Sequence, residues 1–187
     1  MATLALDPAY RRVTVGEFLA MDLGEAKAEL VDGMICMMAG GSPRHAAIAA
    51  NIIIALGPRL RGSGCRPYGS DLAMRTGEAS IRFPDVSIYC NDPEMPVDPD
   101  AKLLGDPRVV FEVLSPSTAS NDQVTKLREY RALPGVDAIV FVDPDNERLR
   151  IVARDTRGDG EWLPHGTDLT LPTLGVTVPH REIFALD

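Results

Sequence analysis

Two carboxylates stand inside apolar, strand-like runs of this chain and restrict its fold more than any other residues. Asp85 interrupts Ile81-Arg-Phe-Pro-Asp-Val-Ser-Ile-Tyr89, and Glu112 interrupts Val109-Val-Phe-Glu-Val-Leu114. Asp and Glu are poor strand formers, and an ionised carboxylate is costly to bury without a partner. A fold that contains both runs must bring positive charge to both acids. An arginine at a strand end, Arg82 or Arg108, is one source. A divalent metal ion held between the acids is the other. Two such interruptions, each followed by more apolar sequence, favour the shared ion.

The rest of the composition narrows the class. With 187 residues, 45% of them hydrophobic and 25% charged, the chain fits one soluble domain over 1–187. It has no apolar run long enough to span a bilayer. Its N-terminal segment carries Asp7, Arg11 and Arg12 where a signal peptide would be apolar, so a cytoplasmic protein is expected. A net charge of −8, from 19 basic and 27 acidic residues, excludes non-specific coating of DNA or membranes. It leaves room for an enzyme that meets a phosphodiester through a bound metal. Cys36, Cys65 and Cys90 are far apart and form no C-x-x-C, so buried free thiols are expected rather than a disulfide framework or a zinc site.

Local signals predict the order of elements. A short helix over 13–21 is capped by Thr14 with Glu17 three residues on. A hairpin over 29–38 turns at Asp32-Gly33. Ser42-Pro43 opens a long helix whose core face carries Ile48, Asn51, Ile52, Ala55, Leu56 and Leu60, and Gly62-Ser-Gly64 ends it. Strands follow at 66–75, 81–89 and 108–115, with an exposed Pro- and Asp-rich loop at 92–100. A second helix over 120–133 places Val124, Leu127 and Tyr130 on one stripe and stops at Pro134-Gly135. Ala138–Val142 reads as a central strand, 148–153 as its neighbour, and 162–184 as short strands broken by prolines. The expected fold is α/β or α+β, a mixed sheet flanked by helices with a β-rich C-terminal part.

Pro84-Asp85 followed by Glu112-Val-Leu-Ser115, within an order of helix, three strands, helix and strand, resembles the PD-(D/E)XK nuclease core. Within that superfamily the chain resembles the Uma-type (Uma-two) restriction-endonuclease-like family. Glu29-Leu-Val-Asp-Gly33, His45, Arg82-Phe-Pro-Asp-Val-Ser87, Val110-Phe-Glu-Val-Leu-Ser-Pro-Ser-Thr118, then Asp122, Lys126 and Tyr130, and Val142-Asp-Pro144 carry the likeness over 13–184. One position departs. The superfamily has lysine two residues after the glutamate, where this chain has Leu114. The resemblance implies that Lys126 supplies that cation and that Glu29 is a further acid near the metal. Without the resemblance, Lys126 reads equally as a helix-surface partner of Asp122 and Glu29 as a surface acid.

Phosphodiester cleavage gains from a metal that binds a phosphoryl oxygen and acidifies a water. Mg²⁺ or Mn²⁺ on Asp85, Glu112 and the main-chain carbonyl of Val113 suits that role, because Mg²⁺ prefers oxygen donors and few carboxylates. His45 begins a helix after Gly40-Gly-Ser-Pro-Arg44, where free N–H groups suit a phosphate, and reads either as a pocket residue or as an exposed one. Tyr130 reads as a core residue whose hydroxyl reaches a partner. His165 and His180 read as structural or solvated. The function implied is a metal-dependent endonuclease acting on nucleic acid, DNA foremost, with a homodimer matching the two strands of a duplex by analogy. The alternative is a non-catalytic module of the same fold that binds nucleic acid or protein. A serine hydrolase through Ser115 or Ser117 with His45 lacks a G-x-S-x-G elbow. A glycosidase would have one Trp for stacking on sugars.

Overall fold

The computed structural model describes residues 11–90, 98, 100–115 and 120–186, and of residues 120–122 the backbone only. Thr14 sets the first helix, α1 (Val15–Ala20): its side chain accepts from the Glu17 amide while the Glu17 carboxylate takes the Thr14 N–H. Two otherwise unpaired amides are satisfied reciprocally. Thr14→Ala is expected to cost about 1 kcal/mol, read as a lower urea midpoint at unchanged m-value. An unchanged midpoint would mean that the packing of Phe18 holds the helix by itself.

Strands β1 (Ala28–Val31) and β2 (Met34–Met37) form the expected hairpin. Asp32 and Gly33 both have positive φ, 47° and 81°, the geometry of a type I′ turn. The long helix α2 (Pro43–Arg59) is capped by Ser42, which accepts from the His45 amide. It ends before the glycines, at a Leu60 cap. Then come β3 (Cys65–Gly69), β4 (Met74–Gly77), β5 (Ser80–Arg82), β6 (Val86–Cys90), β7 (Val109–Val113), α3 (Ser120–Ala132), β8 (Ala138–Asp143) and β9 (Arg148–Ala153). The tail forms β10 (Leu169–Leu171), β11 (Val176–Val178) and α4 (His180–Phe184).

Two sheets position the site. One runs in the order β3-β6-β7-β8-β9, antiparallel throughout except for β7 and β8, which are parallel. A parallel pair needs a crossover, and α3 supplies it. The second sheet runs β2-β1-β5-β4. Alternation along β7 sends Val109, Phe111 and Val113 towards α2 and the tail. Val110 faces the opposite way, onto Leu127 and Tyr130 of α3. Glu112 therefore belongs to the α3 face. Among the described residues, no helix is long and apolar enough to cross a membrane.

The mixed sheet and its flanking helices match the expected class, with four corrections. Residues 66–75 and 81–89 do not form single strands; each splits between the two sheets, β3 from β4 and β5 from β6. Pro84 breaks the second run, as a proline without an N–H must in a sheet interior. Val124 is exposed, so the buried stripe of α3 is carried by Leu127 and Tyr130. The tail closes with a helix, α4. Cys65 and Cys90 are joined in a disulfide and Cys36 is exposed, against the expectation of buried thiols. The antiparallel register sets Cys65 directly opposite Cys90, with Cα atoms 3.9 Å apart, a pairing no local spacing reveals. The loop at 92–100 falls almost wholly outside the described residues, as does Ser117.

Candidate metal centre and active site

Register brings the two leading carboxylates together. Val86 pairs with Phe111, so the ladder extended by one residue sets Asp85 opposite Glu112. Asp85 lies in the break after β5. Its Oδ2 accepts the Val113 N–H at 2.7 Å and lies 3.3 Å from Nε2 of His45. Neither leading acid leans on the arginines considered from sequence: Arg82 pairs with Glu29 and Glu129, and Arg108 with Asp137.

Glu112 is buried. Its Oε2 is 3.0 Å from the Lys126 ammonium, and its Oε1 accepts the Tyr130 hydroxyl at 2.5 Å. Lys126 is itself buried, 8% exposed, and lies 3.8 Å from Oε1 of Glu29. It is no helix-surface lysine. The Asp122 side chain lies outside the described residues. Glu29 is also buried, its Oε2 on Arg82 at 2.8 Å and its Oε1 accepting the Phe83 N–H at 3.2 Å. His45, Asp85, Glu112, Val113, Lys126 and Glu29 thus converge from α2, the β5–β6 break, β7, α3 and β1. Leu114 packs against the α3-side core.

Sequence reasoning missed the support beneath these residues. Arg82 forks onto Glu129, with both bonds at 2.8 Å, and Thr76 donates to the same carboxylate at 2.7 Å. Burial opposes the charges on Arg82 and Glu129. The mutual hydrogen bonds outweigh it, raising the arginine and lowering the glutamate. Glu129 lies one turn from Lys126, so helical spacing could have flagged it. The burial of Arg82 in a polar strand position gave no local signal.

Charge accounts for what the site can hold. Glu29, Asp85, Glu112 and Glu129 make four carboxylates, and two permanent cations, Arg82 and Lys126, touch this group. Among the described residues, the acids of this cluster outnumber the permanent cations that touch them, a balance that suits a bound cation. Burial pushes Glu112 up to about 7, with Asp85 adding repulsion and Lys126 and Tyr130 opposing. Burial, then the Glu112 charge, raises the Tyr130 hydroxyl well above its usual range, so it remains a donor. The hydrogen bond to Asp85 raises His45, and the Val113 main chain adds to this. Asp85, Glu112 and the Val113 carbonyl form an all-oxygen donor set that fits Mg²⁺ or Mn²⁺.

A pH dependence follows for the metal-free protein. Glu112 titrates higher folded, near 7, than its ordinary 4.5. Its contribution to stability is fully present below that ordinary value and is lost as pH rises through 7. Urea unfolding in chelator should show a fall on the order of a few kcal/mol across that window, and Glu112→Gln should flatten it. An equal slope in Glu112→Gln would assign the titration elsewhere.

Residues 15–184 match the sequence profile of the Uma2 family, described as "Putative restriction endonuclease". Two uncharacterized proteins of Synechocystis sp. are similar. One, slr1290, is 30% identical over 138 residues, 73% of this chain and 70% of that protein. The other, sll1609, is 26% identical over 153 residues, 81% of this chain and 85% of its own. The crystal structure of "a putative nuclease belonging to DUF820" from Anabaena variabilis superposes with a TM-score of 0.76 at 17% identity, covering 92% of this chain and 97% of the other. That likeness concerns the fold, the restriction-endonuclease-like arrangement of mixed sheet and helices expected from the sequence. With the profile spanning nearly its whole length, this chain belongs to the Uma2 family.

Proposed function

We propose that the protein is a metal-dependent endonuclease that hydrolyses phosphodiester bonds of nucleic acid, DNA foremost. The observation that carries this reading is the Lys126 ammonium 3.0 Å from Glu112, which answers the loss of the motif lysine at Leu114. Without it, the non-catalytic alternative would have the stronger claim.

Asp85, Glu112 and the Val113 carbonyl would hold Mg²⁺ or Mn²⁺, which supplies a Lewis acid for a phosphoryl oxygen and acidity for an attacking water. Lys126, buried and braced by Glu112 and Glu29, presents a fixed positive charge to the charge that develops on the phosphoryl group. Glu29 lies beside that ammonium and is itself held by Arg82, which Glu129 holds in turn. Tyr130 donates to Glu112 and fixes one of its oxygens. Asp85 and His45 are the more open side of the cluster, with side chains 17% and 18% exposed, so substrate enters there. His45 can protonate a leaving oxygen once it is no longer bound to Asp85.

A homodimer would present two such centres to the two strands of a duplex. In the cytoplasm, where we place the protein, reductants would work against the Cys65–Cys90 bond. A panel of duplex DNA, single-stranded DNA and RNA, each incubated with Mg²⁺, Mn²⁺ or chelator, tests the substrate class. Cleavage of duplex DNA that chelator stops is expected. Nucleic acid retained on the protein but uncut with either metal would favour the non-catalytic module.

A further inference from the structure

We propose that Glu147, His165 and His180 bind one divalent transition-metal ion, zinc foremost, at a second site separate from Asp85 and Glu112. The three residues come from three segments. Glu147 closes the β8–β9 turn in a left-handed conformation, φ 48°. The Leu163 N–H donates to the Leu149 carbonyl, and Trp162 bridges to Arg150, which lays the loop bearing His165 along β9. Asp168 accepts the His180 amide and fixes the first residue of α4 beside them.

A ring nitrogen from each histidine and a carboxylate oxygen of Glu147 all lie within 4.8 Å of one another. Nε2 of His165 is 3.3 Å from Oε2 of Glu147. Arg44 holds the other oxygen, Oε1, at 3.1 Å and leaves Oε2 to face the imidazoles. Nε2 of His180 sits 2.7 Å from the Glu147 main-chain oxygen, so it carries the proton and Nδ1 keeps the lone pair. A ring N–H held by a main-chain carbonyl is the usual support of a metal-ligating histidine. Phe184 packs on the same ring, with centroids 4.5 Å apart.

Two imidazoles and one carboxylate, with a position left for water, suit zinc. Imidazole nitrogen selects zinc, cobalt, nickel or copper over magnesium, whereas two carboxylates and a main-chain carbonyl make up the donor set proposed at Asp85 and Glu112. Bound there, the ion would pin the C-terminal helix to the β8–β9 turn. Through Arg44 it would also steady the first turn of α2, which carries His45.

Cobalt(II) serves as the probe, titrated into untagged, chelator-stripped full-length protein. One equivalent should give the visible absorption of a four- or five-coordinate ion, which zinc displaces and excess Mg²⁺ does not. Asp85→Ala should keep that absorption, and His165→Ala should lose it. His165 is exposed, so its removal should spare the fold, which circular dichroism checks; Glu147→Gln gives a second loss variant. No visible absorption in the wild type, equal absorption in His165→Ala, or loss in Asp85→Ala instead would each overturn the second site.

Discussion

Asp85→Ala is expected to abolish the stabilisation that Mg²⁺ or Mn²⁺ gives the protein. In the wild type an ion at a hundred times its dissociation constant should add about 2.7 kcal/mol by linkage, seen as a rise in thermal midpoint. The variant should fold but stand slightly lower without metal, since the Val113 N–H loses its acceptor, at a cost of about 1–3 kcal/mol. Its midpoint should then ignore the metal. Glu112→Ala should lose the metal response as well, with a larger drop in metal-free stability, because it strips buried Lys126 and Tyr130 of a shared partner. A metal response that survives in both variants would show that the ion binds elsewhere. Metal affinity should also climb with pH in the wild type, because burial keeps Glu112 protonated up to about 7 and His45 holds its proton against Asp85.

Lys126→Ala carries the second large effect, and the structure gives it two parts. Catalysis at saturating metal should fall by roughly two to three powers of ten, the loss expected for one fixed electrostatic group. The metal-free protein should also lose about 3–5 kcal/mol, the cost of stripping a buried partner from Glu112 and Glu29. A surface lysine would give neither. Lys126→Arg should rescue poorly, since a planar guanidinium cannot take the place of a compact ammonium between two carboxylates. Wild-type cleavage by Lys126→Ala would take Lys126 out of the mechanism and strengthen the non-catalytic reading.

Asp85 and Glu112 were legible because desolvation makes a carboxylate in an apolar run conspicuous on its own. The Thr14 cap, the Asp32-Gly33 hairpin and the Ser42-Pro43 helix start were legible for a related reason: each is local chemistry within a few residues. What escaped depends on tertiary placement. α3 has few apolar residues, so nothing in its sequence shows that Lys126 points inward while Val124 points out. The division of 81–89 between two sheets had one visible cue, Pro84, and in that break Asp85 reaches the Val113 N–H and His45. Arg82 is, from sequence, one alternative source of positive charge for the two carboxylates, but β5 carries it into the second sheet beside Glu29 and Glu129. Cys65 and Cys90 meet through strand register, which a count of spacings does not contain.

The most direct test of the central claim is single-turnover cleavage of duplex DNA by the wild type and by Asp85→Ala, both shown folded, with Mg²⁺ and with chelator. The account predicts cleavage by the wild type in Mg²⁺ only, and a rate lower by about a thousandfold in Asp85→Ala. Equal cleavage by the two proteins, or cleavage by the wild type that chelator leaves unchanged, would contradict it.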